Sequence, residues 1–322
     1  MSERVVRQAV VDSVDPGERL DQVAARLFPE FSRSRLQSWI RDGALTVDGR
    51  TQRPRERIAA GASLALDARL EDAVDWQAQP IALDIVFEDD SILVLNKPAG
   101  LVVHPAAGHH DGTLVNALIN HAPALAQLPR GGIVHRLDKD TSGIMVVAKT
   151  LQAHTRLVEQ LQARSVGREY DAVCVGAMTG GGTVDEPMGR HPRQRKKMAV
   201  VASGKPAVTH YRVARRFAHY THVAVRLETG RTHQIRVHLA HRHYPLVGDP
   251  VYGGRPRIPP RASQRLIEAL RGFRRQALHA RQLRLLHPAS GEALCFECPL
   301  AADLQSLLAV LETEDPADAN GQ

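Results

Sequence analysis

Chemistry in this chain is concentrated in one run, GIVHRLDKDTSG at positions 132–143. Strand-like apolar residues lead into it and residues 144–148 continue as a second apolar stretch. Asp138 therefore falls in a loop gripped at both ends, where a side chain is presented rigidly. Thr141 and Ser142 can hydrogen-bond the local backbone or the carboxylate, and Gly143 allows a tight return. Spacing alone fits a well-capped turn equally well. Arg136 lies two residues before Asp138, so alternation points both side chains to the same side. Asp138 and Asp140 invite a carboxylate-pair reading, glycosidic bond hydrolysis, but Lys139 lies between them and a spacing of two does not ensure that they flank a bond. His135 and Arg136 before Asp138 superficially match a kinase catalytic loop; the spacing is wrong and no glycine-rich nucleotide loop accompanies it.

A second polar cluster, TGRTHQIRVHLA at 229–240, carries Arg231 and Arg236. Thr232 is expected to cap a helix over roughly 233–241, with Ile235 and Leu239 inward and Arg236 on the side of His233 and Ala240. A carboxylate in a closed pocket is neutralised by desolvation unless a permanent cation stands near it, and Arg236 and its rival Arg231 are the cations this cluster could supply. Sixteen histidines raise the question of a metal, above all His233, His238, His241 and His243, or His104, His109 and His110, yet none sits in a recognisable ligand frame. Cys295 and Cys298 form a lone C-x-x-C within the alternating strand pattern of Leu294, Phe296 and Cys298, so no metal is expected there either. Glycines 180–182 read as a hairpin tip, lacking the Lys-Ser or Lys-Thr of a phosphate loop.

The elements that must position these residues follow from periodicity. Residues 19–27 and 34–41 have helical spacing, with Leu20, Val23, Leu36 and Ile40 inward. Residues 44–47 lead into the turn pair Asp48-Gly49, and 63–66 is strand-like. Residues 76–80 read as a linker. Beyond it, strands are expected at 85–88 and 92–95 as a hairpin, then at 144–148, 170–175, 208–213 and 222–227, with helices at 114–121 and 151–164. Strand-rich sequence with scattered helices and no βαβ period predicts an α+β fold around a mixed, largely antiparallel central sheet. The organisation expected is a small unit at 1–80 with its core at about 17–76, a large unit at 81–312 and a frayed acidic tail at 313–322.

The formal charge of +7 is clustered: 190–216 holds nine Lys or Arg and no acid, and 255–284 holds nine Arg against Glu268. That distribution suits a polyanion. Three cysteines fit a reducing compartment. A charged amino terminus and the lack of any long apolar stretch predict a cytoplasmic protein without membrane insertion.

The run RLDQVAARLFPEFSRSRLQSWIRDGALTVDG, at 19–49, resembles the S4 RNA-binding domain. HRLDKDTSG resembles the active-site motif of the RluA-type pseudouridine synthases, and NKPAGLVVHP (96–105) and TGRTHQIRVHLA are similar to that family's other signature segments. Three motifs in order, with the S4-like front, extend the resemblance over nearly the whole chain. It implies the pseudouridine synthase fold and an isomerisation that breaks N1–C1′ of a flipped uridine and rejoins the base through C5. No cofactor, nucleotide or metal is then required, and the chain has no Walker-type loop, no G-x-G-x-x-G after a strand and no H-E-x-x-H. The resemblance further implies Asp138 as the ionised carboxylate, nucleophile or base, with Arg236 paired to it. Tyr170 would stack on the base and assist proton removal from C5, and Arg136 would fill the place of the displaced nucleotide. His135, Arg231, Asn96 and Lys97, with Arg33 and Arg35 in the S4-like segment, are the expected substrate and RNA contacts. GDPVYGGRPR, GGTVDEP, GKPAVTHYR and FRRQALHA are similar to segments of the members that act on large-subunit ribosomal RNA. The implied partner is 23S rRNA, at the helix 69 loop, in the large subunit or its precursor, met by a monomer.

Overall fold

The computed structural model describes residues 4–14, 17–31, 33–69, 76–105, 111–194 and 197–317. It divides into two compact units, Met1–Asp75 and Trp76–Gln322.

In the first unit, β1 (Arg4–Val10), α1 (Leu20–Leu27), α2 (Arg33–Arg41), β2 (Leu45–Val47) and β3 (Ser63–Arg69) form a helix pair over a three-stranded sheet ordered β1-β3-β2. Asp48 and Gly49 both take positive φ, 49° and 76°, as a two-residue turn after β2 requires. Leu20, Val23, Leu36, Ile40, Leu45, Leu64 and Leu66 are the buried centre. β1 goes beyond the strands expected from sequence: its residues RVVRQAV lack clean alternation, and pairing with β3 along its whole length makes it a strand.

The second unit contains β4 (Ile85–Glu88), β5 (Ile92–Lys97), α3 (Leu114–His121), β6 (Ser142–Ala148), α4 (Leu151–Gln162), β7 (Gly167–Val175), β8 (Gly182–Asp185), β9 (Met188–Arg190), β10 (Met198–Val200), β11 (Val208–Arg216), β12 (Tyr220–Leu227), α5 (Gln234–His241), α6 (Gln264–Gly272), β13 (Leu278–Leu286), β14 (Ala293–Glu297) and α7 (Ala302–Glu314). The main sheet runs β4-β5-β6-β13-β7-β12-β11-β8, with β14 on β13; β6 and β13 pair in parallel and the other pairs are antiparallel. Every residue of β6 is buried, which is why its sequence SGIMVVA is apolar throughout rather than alternating. Leu114, Leu118, Leu157 and the strand residues of β5, β6 and β7 share one core, while Phe217, Leu266, Leu270, Leu304 and Leu307 gather α6 and α7 over another. This is the α+β arrangement expected.

Two boundaries differ from expectation. Residues 76–80, read as a linker, pack onto the large unit: the Asn116 side-chain amide donates to Gln77 O at 2.8 Å, and Gln79 N donates to Asn116 O at 3.1 Å. The frayed tail does not begin at 313, because buried Asp315 accepts from His219 and Pro316 bridges to Phe217. Positions 318–322 lie outside the described residues.

Candidate active site

Asp138 sits in an irregular loop, not a strand, between the bridge of Ile133 to Val147 and the start of β6. Two glycines allow the loop to enter and leave. At Gly132 (φ +79°) an added Cβ would lie 2.0 Å from Ala148 O, and at Gly143 (φ +116°) 2.2 Å from Ala280 O. Between them the backbone is strapped. Thr141 N donates to Asp138 O at 3.0 Å, and Lys97, with no exposed surface, donates from Nζ to Pro98 O, Leu101 O and Lys139 O at 2.7, 3.0 and 2.9 Å. On the other side Arg275, clamped by Asp303, donates to Asp140 O at 3.1 Å, and Gln276 Nε2 donates to Thr141 Oγ1 at 3.0 Å. Such support is what keeps a reactive side chain within a fraction of an ångström of one position.

The Asp138 side chain keeps 16% of its surface exposed, at the wall of a cavity of about 590 Å³. Its Oδ2 accepts from Arg236 Nη1 at 2.9 Å. Arg236, 5% exposed, is itself gripped by Asp249, with Nε to Oδ2 at 2.7 Å and Nη2 to Oδ1 at 2.9 Å. Burial works to lower the Arg236 pKa, but the hydrogen bonds and charges of Asp249 and Asp138 hold it above its ordinary value. Asp249 shows the complementary balance: burial would raise its carboxyl, while Arg236 and the Val251 and Tyr252 amides hold it low. A fork bound to both carboxylates cannot rotate away from Asp138.

His233 faces the other oxygen of Asp138, Nε2 to Oδ1 at 3.8 Å. The Tyr252 hydroxyl accepts from Met198 N at 3.0 Å and lies 2.8 Å from His233 Nδ1. Its own proton is thus free for Nδ1, and Nε2–H is left facing the carboxylate. Burial lowers the His233 pKa, against the pull of Asp138. His233 also has φ +59° at the start of α5, a strained backbone for a non-glycine residue. The expected Thr232 cap is absent: the residue before the helix is His233. No side chain caps this helix start; the Gln234 side chain instead ties down the preceding loop, accepting from Arg231 N and Thr229 Oγ1 at 3.0 and 2.8 Å.

Tyr170 and Arg168, two residues apart on β7, share one side of the strand and line the same cavity with Arg136, His135 and Arg231. Burial raises the Tyr170 phenol above its usual pKa. Arg136 is exposed at the rim. Arg231 does not pair with Asp138; its Nε donates to Pro206 O at 3.2 Å. His135 Nε2 accepts from Val146 N at 3.1 Å, and burial pushes its pKa down to about 3, so it is a neutral strut of the loop. Asn96 and Lys97 are absent from the wall, Asn96 donating to Asp84 at 2.8 Å and Lys97 bracing the loop from behind. Arg33, in the first unit, is tied to buried Asp21 at 3.0 and 2.8 Å, and Arg35 lies 5.9 Å over Trp39.

Asp140 is also absent from the wall, where the acids are Asp138 and Glu228, the latter paired with His210 at 2.7 Å. The pair suggested by spacing, Asp138 and Asp140, therefore does not face one common space, and Glu228 is engaged by His210. Among the described residues no three of His, Cys, Asp and Glu are placed to hold a metal ion; His109 and His110 lie outside them. Sequence reasoning missed Asp249, the Arg168 guanidinium, and the Arg275 and Gln276 braces. Asp249 and the braces lie in GDPVYGGRPR and FRRQALHA, segments singled out by likeness, but no spacing rule marks which of their side chains turn inward.

Residues 91–241 match the family of RNA pseudouridylate synthases, and 18–64 match the S4 domain. A ribosomal large subunit pseudouridine synthase D from Pseudomonas aeruginosa is 62% identical over 98% of this chain and 99% of its own. Proteins of the same name from Xanthomonas campestris pv. campestris and Escherichia coli K12 are 56% and 53% identical, covering 98% of this chain and 95% and 97% of theirs. Among solved structures, human RNA pseudouridylate synthase domain containing 4 is similar over 72% of this chain and 94% of its own, at 30% identity and a TM-score of 0.56. The chain belongs to the RNA pseudouridylate synthase family. It is an RNA pseudouridine synthase with an S4 RNA-binding domain at its front.

Proposed function

We propose that the chain converts uridines of 23S ribosomal RNA, in the helix 69 loop, to pseudouridine, in the large subunit or its precursor, and that Asp138 is the catalytic carboxylate. Identity of more than half over almost the full length to enzymes named for the ribosomal large subunit supports the substrate. The observation that carries the catalytic reading is the Asp138–Arg236–Asp249 chain, which fixes Oδ2 of Asp138 at the cavity wall while Oδ1 stands 3.8 Å from His233 Nε2, beyond a hydrogen bond.

In this reading the target uridine leaves its stack and Arg136 at the rim fills the space. Asp138 acts as nucleophile at C1′ of the ribose or at C6 of the base, or as base at C2′, and each role requires the ionised form. The C1′–N1 bond breaks, the base turns, and C5 bonds to C1′ while its proton leaves beside Tyr170 and N1 gains one. Atoms and electrons balance without oxidant, nucleotide or metal. Because RNA's deep major groove is unreadable to side chains, the uridines are chosen from a loop, by fold and unstacked bases. Arg33, Arg35 and their neighbours supply contacts to the surrounding RNA. No helix among the described residues is long and apolar enough to cross a membrane, and we place the enzyme in the cytoplasm, acting as a monomer.

Asp138→Asn tests this. Pseudouridine formation should fall to background while RNA affinity is kept; retained activity would overturn the catalytic assignment. Mapping pseudouridines in RNA from cells with and without the gene should show sites lost from the helix 69 loop, and losses elsewhere would overturn the substrate.

A further inference from the structure

Arg168 is 8% exposed, yet no carboxylate pairs with it among the described residues. Its hydrogen bond from Nη2 to Glu228 O is long, at 3.4 Å, and its Nε is sealed from solvent without a partner. A buried, permanently charged group left in this state is costly, and such costs are kept in folded proteins where function needs them. The surroundings are shaped for it: an added Cβ on Gly230 would lie 2.5 Å from Arg168 Nη1, so the bare glycine makes room for the guanidinium. Its charge acts on the groups around the cavity floor, opposing the upward shift of Tyr170 and adding to the downward shift of His135.

The substrate can supply the anion that the described residues do not. The phosphate backbone is one source, but the groups placed to meet it are exposed, as Arg136 and Arg164 are. Arg168 lies deeper, on the same side of β7 as Tyr170, where the proposed reaction holds the base itself. The base becomes an anion during the reaction. When C1′–N1 breaks, its electron pair stays on N1 and spreads over O2 and O4. It is used again when C5 bonds to C1′, the C5 proton leaves and N1 takes one up.

We propose that Arg168 is a further catalytic residue, whose guanidinium, at the cavity wall, donates to a carbonyl oxygen of uracil and carries the charge of the departing base. A donor that gains strength only as charge develops lowers the barrier without tightening binding, and removing one costs on the order of 100-fold in kcat. The assignment holds whether Asp138 acts as nucleophile at C1′ or as base toward the ribose, since both expel the same anion. It rests on the synthase reading and deepens it.

The test compares wild type and Arg168→Gln on one rRNA loop carrying either uridine or 5-fluorouridine at the target position. The fluorinated base is more acidic and leaves more readily. Single-turnover loss of the starting nucleoside should slow on the order of 100-fold for uridine and far less for 5-fluorouridine, with RNA affinity unchanged. Gly230→Ala, which displaces the guanidinium without removing it, should show the same substrate dependence in milder form and guards against a fold lost in the first variant. Equal slowing on both substrates would overturn the proposal. So would a loss confined to RNA affinity with a reduced salt dependence, the signature of a phosphate contact. Wild type inert on this loop but active on another RNA would sink the substrate reading alone, leaving Arg168 testable on that RNA.

Discussion

Asp138 and Asp249 hold the same guanidinium, but the Asp249 side chain is sealed and the Asp138 side chain is partly exposed at the cavity wall. That asymmetry separates a structural carboxylate from a reactive one. His135 presents the opposite case, a titratable group enclosed in its neutral form. Its folded pKa of about 3 lies below the ordinary 6.5, and His104, pushed down to about 4 by burial with Arg130 and Arg136 adding, behaves alike. Between those values the unfolded chain binds protons that the fold refuses. Stability must then decline as pH falls through the window, by at most about 1.4 kcal/mol per pH unit for each group. Urea denaturation across the window should show the decline. His135→Gln, which can still accept from Val146 N but cannot titrate, should make it shallower.

At the level of elements, the catalytic loop depends on where β6 meets β13. The two pair in parallel at His279 with Ser142 and Ala280 with Gly143, and Gly143 has the positive φ and close approach that exclude a side chain. Gly143→Ala should cost about 1–3 kcal/mol from overpacking, with backbone strain in addition. It should also lower kcat more than RNA affinity, because the strained segment lies so soon after Asp138 in the chain. Equilibrium unfolding and single-turnover rates check the two halves; a stable variant with full activity would contradict this role of the glycine. Helix α5 carries a related lesson. Its inward residues Ile235 and Leu239 are legible from spacing, while its start is not, since His233 in a left-handed backbone stands where a threonine cap was expected.

The whole molecule is two units, each with its own apolar centre. Arg41, Arg50, Arg53, Arg55 and Arg57 of the first unit are exposed, whereas the charges of Arg19 and Arg33 are already met by buried Asp21. If these exposed arginines meet phosphates, a fragment of residues 76–322 should still unfold cooperatively but bind rRNA more weakly. Its plot of log affinity against log salt should be shallower by about 0.7–0.9 for each phosphate that the front unit neutralises. Unchanged affinity and slope would show that the front unit neutralises none.

Sequence alone determined the α+β class, most of the strands around the site, the inward faces of the helices, and the family, because short-range periodicity and contiguous motifs are written along the chain. It also put Asp138 and Arg236 forward, though with Arg231 as a rival. Only the tertiary structure decided between the two arginines, brought in Asp249 from a later segment of the chain, and turned Lys97, Asn96 and His135 from expected RNA contacts into a brace, an outer pair and a strut. The reason is physical. A motif specifies which side chains are present, whereas burial, charge partners and reach depend on segments far apart in the chain, as where Ser142 meets His279, 137 residues on. No local pattern carries those distances.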